Sequence, residues 1–333
     1  MTSALENAVR RLGQQTFHPG VALSLHGPGG ETHLAAGNLT VDTPCHFASA
    51  TKLMVATVLH QLAAEGLDLD APFTSVLPMT GALVVDGQDL TAEITIRQLM
   101  AHVSGLPDYF SSSTPKTGLM GALMRGEDRA WTRTEAVEMA RAMRPVGKPG
   151  QRARAQYADT NYQILDGVIE AVAGAPIGEV LNQRIFQPLG LQQTWLYTDP
   201  ADIRPAPLRY RQASLHIPQA MASFRGDGGL VTTSREGLVF LRALWSGRFG
   251  DTGWLTGGPF RALFFPVTYG TGVMRFALPR WMTGFRRFPA LYGHSGHSGT
   301  ALFHAPETGV SIAATVNQID RPGTVFRLML KAL

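Results

Sequence analysis

A chain of 333 residues, 44% hydrophobic and 16% charged, is long enough for a two-lobed core and has the balance of a globular protein. Its net charge of +4 comes from arginines scattered along the chain, with neither a basic stripe nor a known module, which excludes nucleic acid as the expected partner. A single cysteine, Cys45, excludes an intrachain disulfide and a cysteine-based metal site, and no run of about eighteen apolar residues is present to span a bilayer.

The N-terminal MTSALENAVRRLGQQTFHPG mixes both charges in a helical pattern and lacks the apolar segment of a secretory leader. With Met1 as the native start, a cytoplasmic protein is expected. VALSLHG (21–27) and THLAAG (32–37) flank a Gly/Pro turn and predict a hairpin. A helix is expected from about Ser49 to Gly66. The middle of the chain is a series of helical patterns. TIRQLMAHV starts at a capping Thr95 and stops at Gly105. TRTEAVEMARAM follows, then NYQILDGVIEAVAG, which ends at Gly174. GEVLNQRIF is expected to break before Pro188, and SREGLVFLRALWSG runs from Ser234 to Gly247. The tail returns to strands, ALFHAP (301–306) and GVSIAATVN (309–317) around a PETG turn, and closes on the amphipathic GTVFRLMLKAL.

Strands thus sit at the two chain ends and come from hairpins, so the sheet is expected to be mainly antiparallel in an α+β arrangement. Residues 1–66 and 227–333 are expected to form one α/β lobe, and 67–226 a mostly helical lobe, with the cleft between them.

The stretch CHFASATKLMVATVLHQLAAEG puts Lys52 inside an apolar helix, three residues after Ser49. Residues three apart share a helix face. Burial penalises an ammonium and is expected to lower the pKa of Lys52, and a neutral amine beside a hydroxyl can take its proton. Ser49 near the helix start would have free backbone N–H groups close to a developing negative charge. The same two residues also suit a plain helix cap and a lysine that reaches to solvent along its stem. A second S-x-x-K, Ser113 to Lys116 in STPKTG, contains Pro115 and has no apolar helix around it, so it reads as a loop.

An ordered series of stretches resembles the serine β-lactamase and penicillin-binding protein superfamily, in its class C-like branch. These are PGVALSLHG, HFASATKLM, EGLDLDAPFTSVLP, ITIRQLMAHVSGLPDY, PGQRARAQYADTNYQILDGVIE, IFQPLGLQQT, GDGGLVTTSREGLVFL, YGTGV and LYGHSGHSGTALFHAP. The branch includes family VIII carboxylesterases, D-aminopeptidases and D,D-carboxypeptidases. The resemblance implies a β-lactamase-like fold and a serine hydrolase that forms an acyl-enzyme, with no metal or organic cofactor. It implies Ser49 as nucleophile, Lys52 and Tyr157 as proton carriers, and the backbone N–H groups of Ser49 and His297 as the oxyanion hole. Tyr157-Ala158-Asp159 occupies the place of the family's Y-x-N, and His294-Ser295-Gly296 that of its K-T-G, which makes Asp159, His294, Ser295 and Gly296 substrate-binding candidates.

Two departures set the expected chemistry. Asp159 replaces an amide that donates by a carboxylate that only accepts, and His294 replaces a lysine. Both make the cleft less positive unless Arg154, Arg275, Arg286 or Arg287 restores charge. Neutral small-molecule esters, or amides and peptides with a free amine, are therefore expected over substrates held by a carboxylate, such as β-lactams. A carboxylesterase-type activity leads; a D-aminopeptidase, a D,D-peptidase or weak β-lactamase, and a non-catalytic penicillin-binding or sensor domain are the alternatives. GHSGHSGT does not meet G-x-S-x-G. His294, His297 and His304 lack metal-ligand spacing, and GDGGLVTTS lacks the P-loop lysine.

Overall fold

The computed structural model describes residues 2–111, 118–151, 153–285 and 287–333, so Ser113, Lys116 and Arg286 lie outside the described residues. Eight antiparallel strands form the main sheet. Its order is Arg261–Phe264, Val267–Tyr269, Met274–Phe276, Leu291–Gly296, Thr300–Ala305, Val310–Thr315, then β1 (Gly20–Gly27) and β2 (Gly30–Gly37). The mainly antiparallel, β-lactamase-like arrangement expected from the sequence is the one observed.

The period-two alternation of the central strands explains how helices cover both faces. Ala22, Leu302 and Ala313 point into one core with Phe47, Leu238 and Leu241. Leu23, Phe303 and Ile312 point into the other, with Leu5 and Val9 of α1 (Thr2–Gly13) and Val325 of the Thr324–Ala332 helix. Gly237 lets the Ser234–Trp245 helix lie close to the sheet, since a methyl there would stand 2.8 Å from Leu302.

A second sheet matters more for function. β3 (Cys45–Ala48) pairs with Leu230–Thr232, which also pairs with Trp195–Leu196. β3 delivers the chain into α2 (Thr51–Ala64), an unbroken buried run from Thr51 to Leu59 and thus a core helix, not a surface one. Ser49 lies in the turn before α2, and Ala48 takes a left-handed φ of 46° to make that turn.

Two helices of the middle region begin with reciprocal side-chain caps, Thr95 with Gln98 and Thr132 with Glu135, each worth about 1 kcal/mol. Three elements differ from the sequence pattern. The Ile96–Met100 helix ends well before Gly105, because His102 turns left-handed at φ 55° and points its ring into the interior. The helix starting at Ile177 does not break before Pro188; it continues through a widened turn at Asn182–Phe186 and ends at Leu189, with Pro188 absorbed near the start of its last turn. The strands between Arg261 and Phe276 are three or four residues long, too short for alternation to be read in the sequence. No helix among the described residues is long and apolar enough to cross a membrane.

Candidate active site

Four chain segments, with the turn at Asp227 beside them, meet at the start of α2. The first is Ser49–Lys52. The Lys52 side chain is fully buried, and its Nζ donates to Ser49 Oγ at 3.3 Å, to Asp159 Oδ1 at 2.6 Å and to the main-chain carbonyl of Asp227. Burial pulls the Lys52 pKa down, but the charge of Asp159 and its direct hydrogen bond outweigh it, so the pKa is raised. The sequence expectation of a depressed lysine pKa is corrected here. Its premise was burial alone, and Asp159 supplies the counter-charge.

The second segment is Tyr157–Asp159, leading into the Asp159–Ala173 helix. The Tyr157 ring lies 5.1 Å from Lys52 Nζ. Its hydroxyl is buried, has no hydrogen bond of normal geometry, and stands close enough to Ser49 and Lys52 to feel both. Burial raises its pKa further than the Lys52 charge lowers it, which keeps it a phenol. A tyrosinate, which would need a pKa lowered by the neighbouring ammonium, is therefore not what this environment favours.

The third segment, HVSGLPDYF, holds the helix start in place. His102 Nδ1 accepts from Ala158 N at 3.2 Å and pairs with Asn161 Nδ2 at 3.0 Å, and the ring packs on Tyr157 with centroids 4.3 Å apart. Asp108 Oδ1 accepts from Asp159 N at 2.9 Å, capping a free first-turn amide. Ser104 donates to Asn161 at 2.6 Å, and Thr160 to the Pro107 carbonyl at 2.7 Å. Burial, then the nearby Asp159 charge, push the Asp108 carboxyl up to about 6.

The fourth segment is the Leu291–Gly296 strand and its turn. A Cβ at Gly296 would lie 2.1 Å from the Phe47 carbonyl oxygen, so only glycine lets this strand approach β3. Ser298 donates to the His46 carbonyl at 2.6 Å and Thr300 to the Phe47 carbonyl at 2.9 Å. These contacts fix the chain at His297 relative to the chain at Ser49, the two segments expected to supply oxyanion donors.

Ser49, Tyr157, Asp159, Ser295, Gly296 and His297 all line one cavity of about 590 Å³. His294 does not. Its ring is buried behind the wall, with Nε2 3.0 Å from the Tyr269 hydroxyl and Nδ1 2.8 Å from the Ser295 carbonyl. That carbonyl can only accept, so Nδ1 carries the proton and Nε2 accepts from Tyr269. Burial, then the Lys52 charge, push its pKa down to about 3, so the imidazole is neutral.

The arginines weighed from sequence do not line the cavity where they are described. Arg154 bonds the Leu263 carbonyl, Arg275 donates to the Tyr292 hydroxyl, and Arg287 pairs with Glu307. The acidic side chains on the wall are Asp108, Asp159 and Asp227. Sequence reasoning did not assign Asp108, Asp227 or His102. Asp227 Oδ2 accepts from Tyr109 at 2.8 Å and Gln163 at 3.0 Å, and burial, then Asp159, hold its pKa well above the carboxylate range. The available signal was an unpaired acid within an otherwise apolar or glycine-rich stretch, in SGLPDY and in GDGGL.

A serine before a core helix, with a lysine in hydrogen-bond reach and a phenol beside both, is an arrangement that could activate a serine as a nucleophile. The chain matches the family described as Beta-lactamase over residues 5–330, and it belongs to that family. Penicillin-binding protein 4 of Amycolatopsis lactamdurans is 30% identical over 212 residues, 60% of this chain and 49% of that protein, so the match spans about half of that relative's length. Esterase/beta-lactamase LipL of Mycobacterium tuberculosis is 26% identical over 327 residues, 82% of this chain and 69% of that protein. The crystal structure of a D-stereospecific amidohydrolase from Streptomyces sp. superposes with a TM-score of 0.79 at 26% identity, covering 96% of this chain and 94% of that one. These relatives are named as a penicillin-binding protein, an esterase/beta-lactamase and an amidohydrolase.

Proposed function

We propose that this protein cleaves small esters with apolar acyl groups through an acyl-enzyme on Ser49. The observation that carries the reading is the cavity itself. Its walls are mostly apolar, with Phe110, Leu123, Met221, Phe224 and Met274 among them, and among the described residues no lysine or arginine lines it to hold a substrate carboxylate. The neutral His294 and the Lys52–Asp159 pair support the same conclusion, because neither leaves free positive charge for an anion.

In the proposed reaction Lys52, an ammonium, passes one proton to Asp159, 2.6 Å away, as Ser49 Oγ attacks the carbonyl carbon and gives its own proton to Lys52 in exchange. The carboxylate thus holds the proton while the tetrahedral intermediate exists. The developing oxyanion would sit against the backbone N–H groups of Ser49 and His297; one such donor is worth about 3 kcal/mol. Tyr157, kept protonated by burial, donates to the leaving alkoxide and is reprotonated by Lys52, which takes back the proton held on Asp159. Water then attacks the acyl ester by the reverse route, and Ser49 recovers its proton.

A second reading, hydrolysis of aminoacyl amides with a free amine, is favoured by one observation. Asp108, whose carboxyl is pushed up to about 6 and so is mostly ionised above neutral pH, stands on the same wall as Asp159, a setting that attracts an ammonium. The D-stereospecific amidohydrolase named above is consistent with it.

Intact mass and turnover with p-nitrophenyl butyrate, a penicillin and a D-aminoacyl p-nitroanilide, each beside Ser49→Ala, test both. Butyrate turnover with a transient acyl mass, both lost in Ser49→Ala, is the expected result. Preference for the anilide moves the assignment to the second reading, and a lasting penicillin adduct sinks the charge argument. Gly296→Ala is expected to lower turnover by about tenfold or more, because the added methyl forces the strand away from β3. Full activity in a folded Gly296→Ala protein would mean that the approach of the two strands is not needed.

A further inference from the structure

Large apolar side chains on the surface of this protein are concentrated in one place. Of the nine that are exposed among the described residues, five fall between positions 264 and 285: Phe264, Phe265, Trp281, Met282 and Phe285. Trp281 is 68% exposed and Phe285 is 81% exposed. The Phe265 ring stacks on Trp281 with centroids 6.3 Å apart and planes 13° from parallel, so the strand turn and the Arg280–Thr283 turn form one surface. Phe264 and Phe265 also line the cavity that holds Ser49, so the patch is continuous with the cavity mouth.

The charge along this stretch of the chain has one sign. Residues 252–306 contain five arginines, at 261, 275, 280, 286 and 287, and no aspartate, glutamate or lysine. With a chain total of +4, the rest of the protein carries −1 (+4 less 5). The arginines are spread along the whole chain, as its sequence suggests, but the acids that balance them elsewhere are missing here. Arg280 and Arg154 are exposed, Arg154 bonding the carbonyl next to Phe264, and Glu307 pairs with Arg287 at the end of the stretch.

We propose that this face docks the protein on an anionic phospholipid surface, from which apolar ester substrates enter the cavity. Aromatic rings at an exposed turn fit the depth of lipid headgroups, and guanidinium groups around them fit headgroup phosphates. A second copy of the chain is a poorer occupant, because a self-complementary contact would bring the arginines of both copies together. A patch of this kind in water alone favours aggregation. The delivery part of the proposal rests on the ester reading given above; the docking part does not.

Sedimentation of the full chain with phosphatidylglycerol–phosphatidylcholine vesicles tests the docking. Binding is expected to be strong with phosphatidylglycerol, weak with phosphatidylcholine alone, and reduced about tenfold or more by half-molar salt. The double variant Trp281→Ser, Phe285→Ser is expected to bind at least about tenfold less. Its circular dichroism and its turnover of a short, dissolved ester should match the parent, and its turnover of a long-chain ester presented in vesicles should fall. No sedimentation of the parent, or equal sedimentation of the double variant, overturns the proposal. A dimer in light scattering that the double variant dissociates, without vesicle binding, also overturns it and gives the face to a second copy. Ser49→Ala should sediment like the parent. If it does, and no ester is turned over by the parent, the docking stands and the ester reading fails.

Discussion

Lys52→Met is expected to cost both activity and stability, and the stability loss should depend on pH. Methionine matches the length of the lysine stem but removes the cation that Asp159 and the Asp227 carbonyl face. Removing one partner of a buried pair costs about 3–5 kcal/mol, since the other is left charged and unsolvated. In the parent, the Lys52 pKa is raised, so its contribution to stability is fully present below the ordinary lysine value. It is lost only as pH rises through the higher folded value. From pH 5 to 8 the parent's contribution from this group is therefore flat. In the variant the unpaired, buried Asp159 carboxyl resists ionisation. Its penalty is greatest at high pH and is relieved as pH falls and the carboxyl protonates. Urea melts at pH 5 and pH 8 should show a deficit that is larger at pH 8. Equal melts at pH 8 for parent and variant would mean that the pair contributes nothing. Ester turnover should fall about a thousandfold, within the range for loss of a general base.

Asp159→Asn tests the proton route directly. The amide oxygen can still accept from Lys52, so the geometry is kept while the charge is removed. Burial, already the largest single influence on Lys52, would then act with less opposition and lower its pKa. The acceptor changes from a carboxylate reached through an ammonium to the amine itself. An amine must first lose its proton, so the acid limb of the kcat/KM profile should move to higher pH. At pH 6 the variant is expected to be about tenfold or more slower than the parent, with the gap closing as pH rises. The variant should also acylate faster with penicillin, because one negative charge has left the cavity wall. Superimposable pH profiles would remove Asp159 from the proton route, and unchanged penicillin acylation would remove it from substrate selection.

Both expectations depend on a residue that the sequence located but could not interpret. Tyr157-Ala158-Asp159 was legible by its place in an ordered series of stretches, and the exchange of amide for carboxylate was visible there. What the carboxylate does was not visible, because Lys52 and Asp159 are 107 positions apart and their contact depends on how distant segments pack together. The inference from Lys52 alone therefore had the wrong sign: burial was read correctly, and the counter-ion was missing. His294 illustrates the same limit. Its place in the strand was readable, but the Tyr269 hydroxyl and the Ser295 carbonyl that fix its proton were not. Short strands between Arg261 and Phe276, and the acids Asp108 and Asp227, escaped notice because neither carries a periodic signal.

The sequence by itself determined the antiparallel sheet drawn from both chain ends, the buried helix that carries Lys52, and the family. These follow from hydrophobic periodicity, turn residues and local motifs, which act over a few neighbouring positions. Tertiary structure alone decided the protonation of Lys52, Tyr157 and His294, the acidic wall of an apolar cavity, and the joining of Phe265 to Trp281 beside its mouth. The physical reason is that charge and solvation depend on distance in space. In this fold the groups that set them come from segments far apart in the chain.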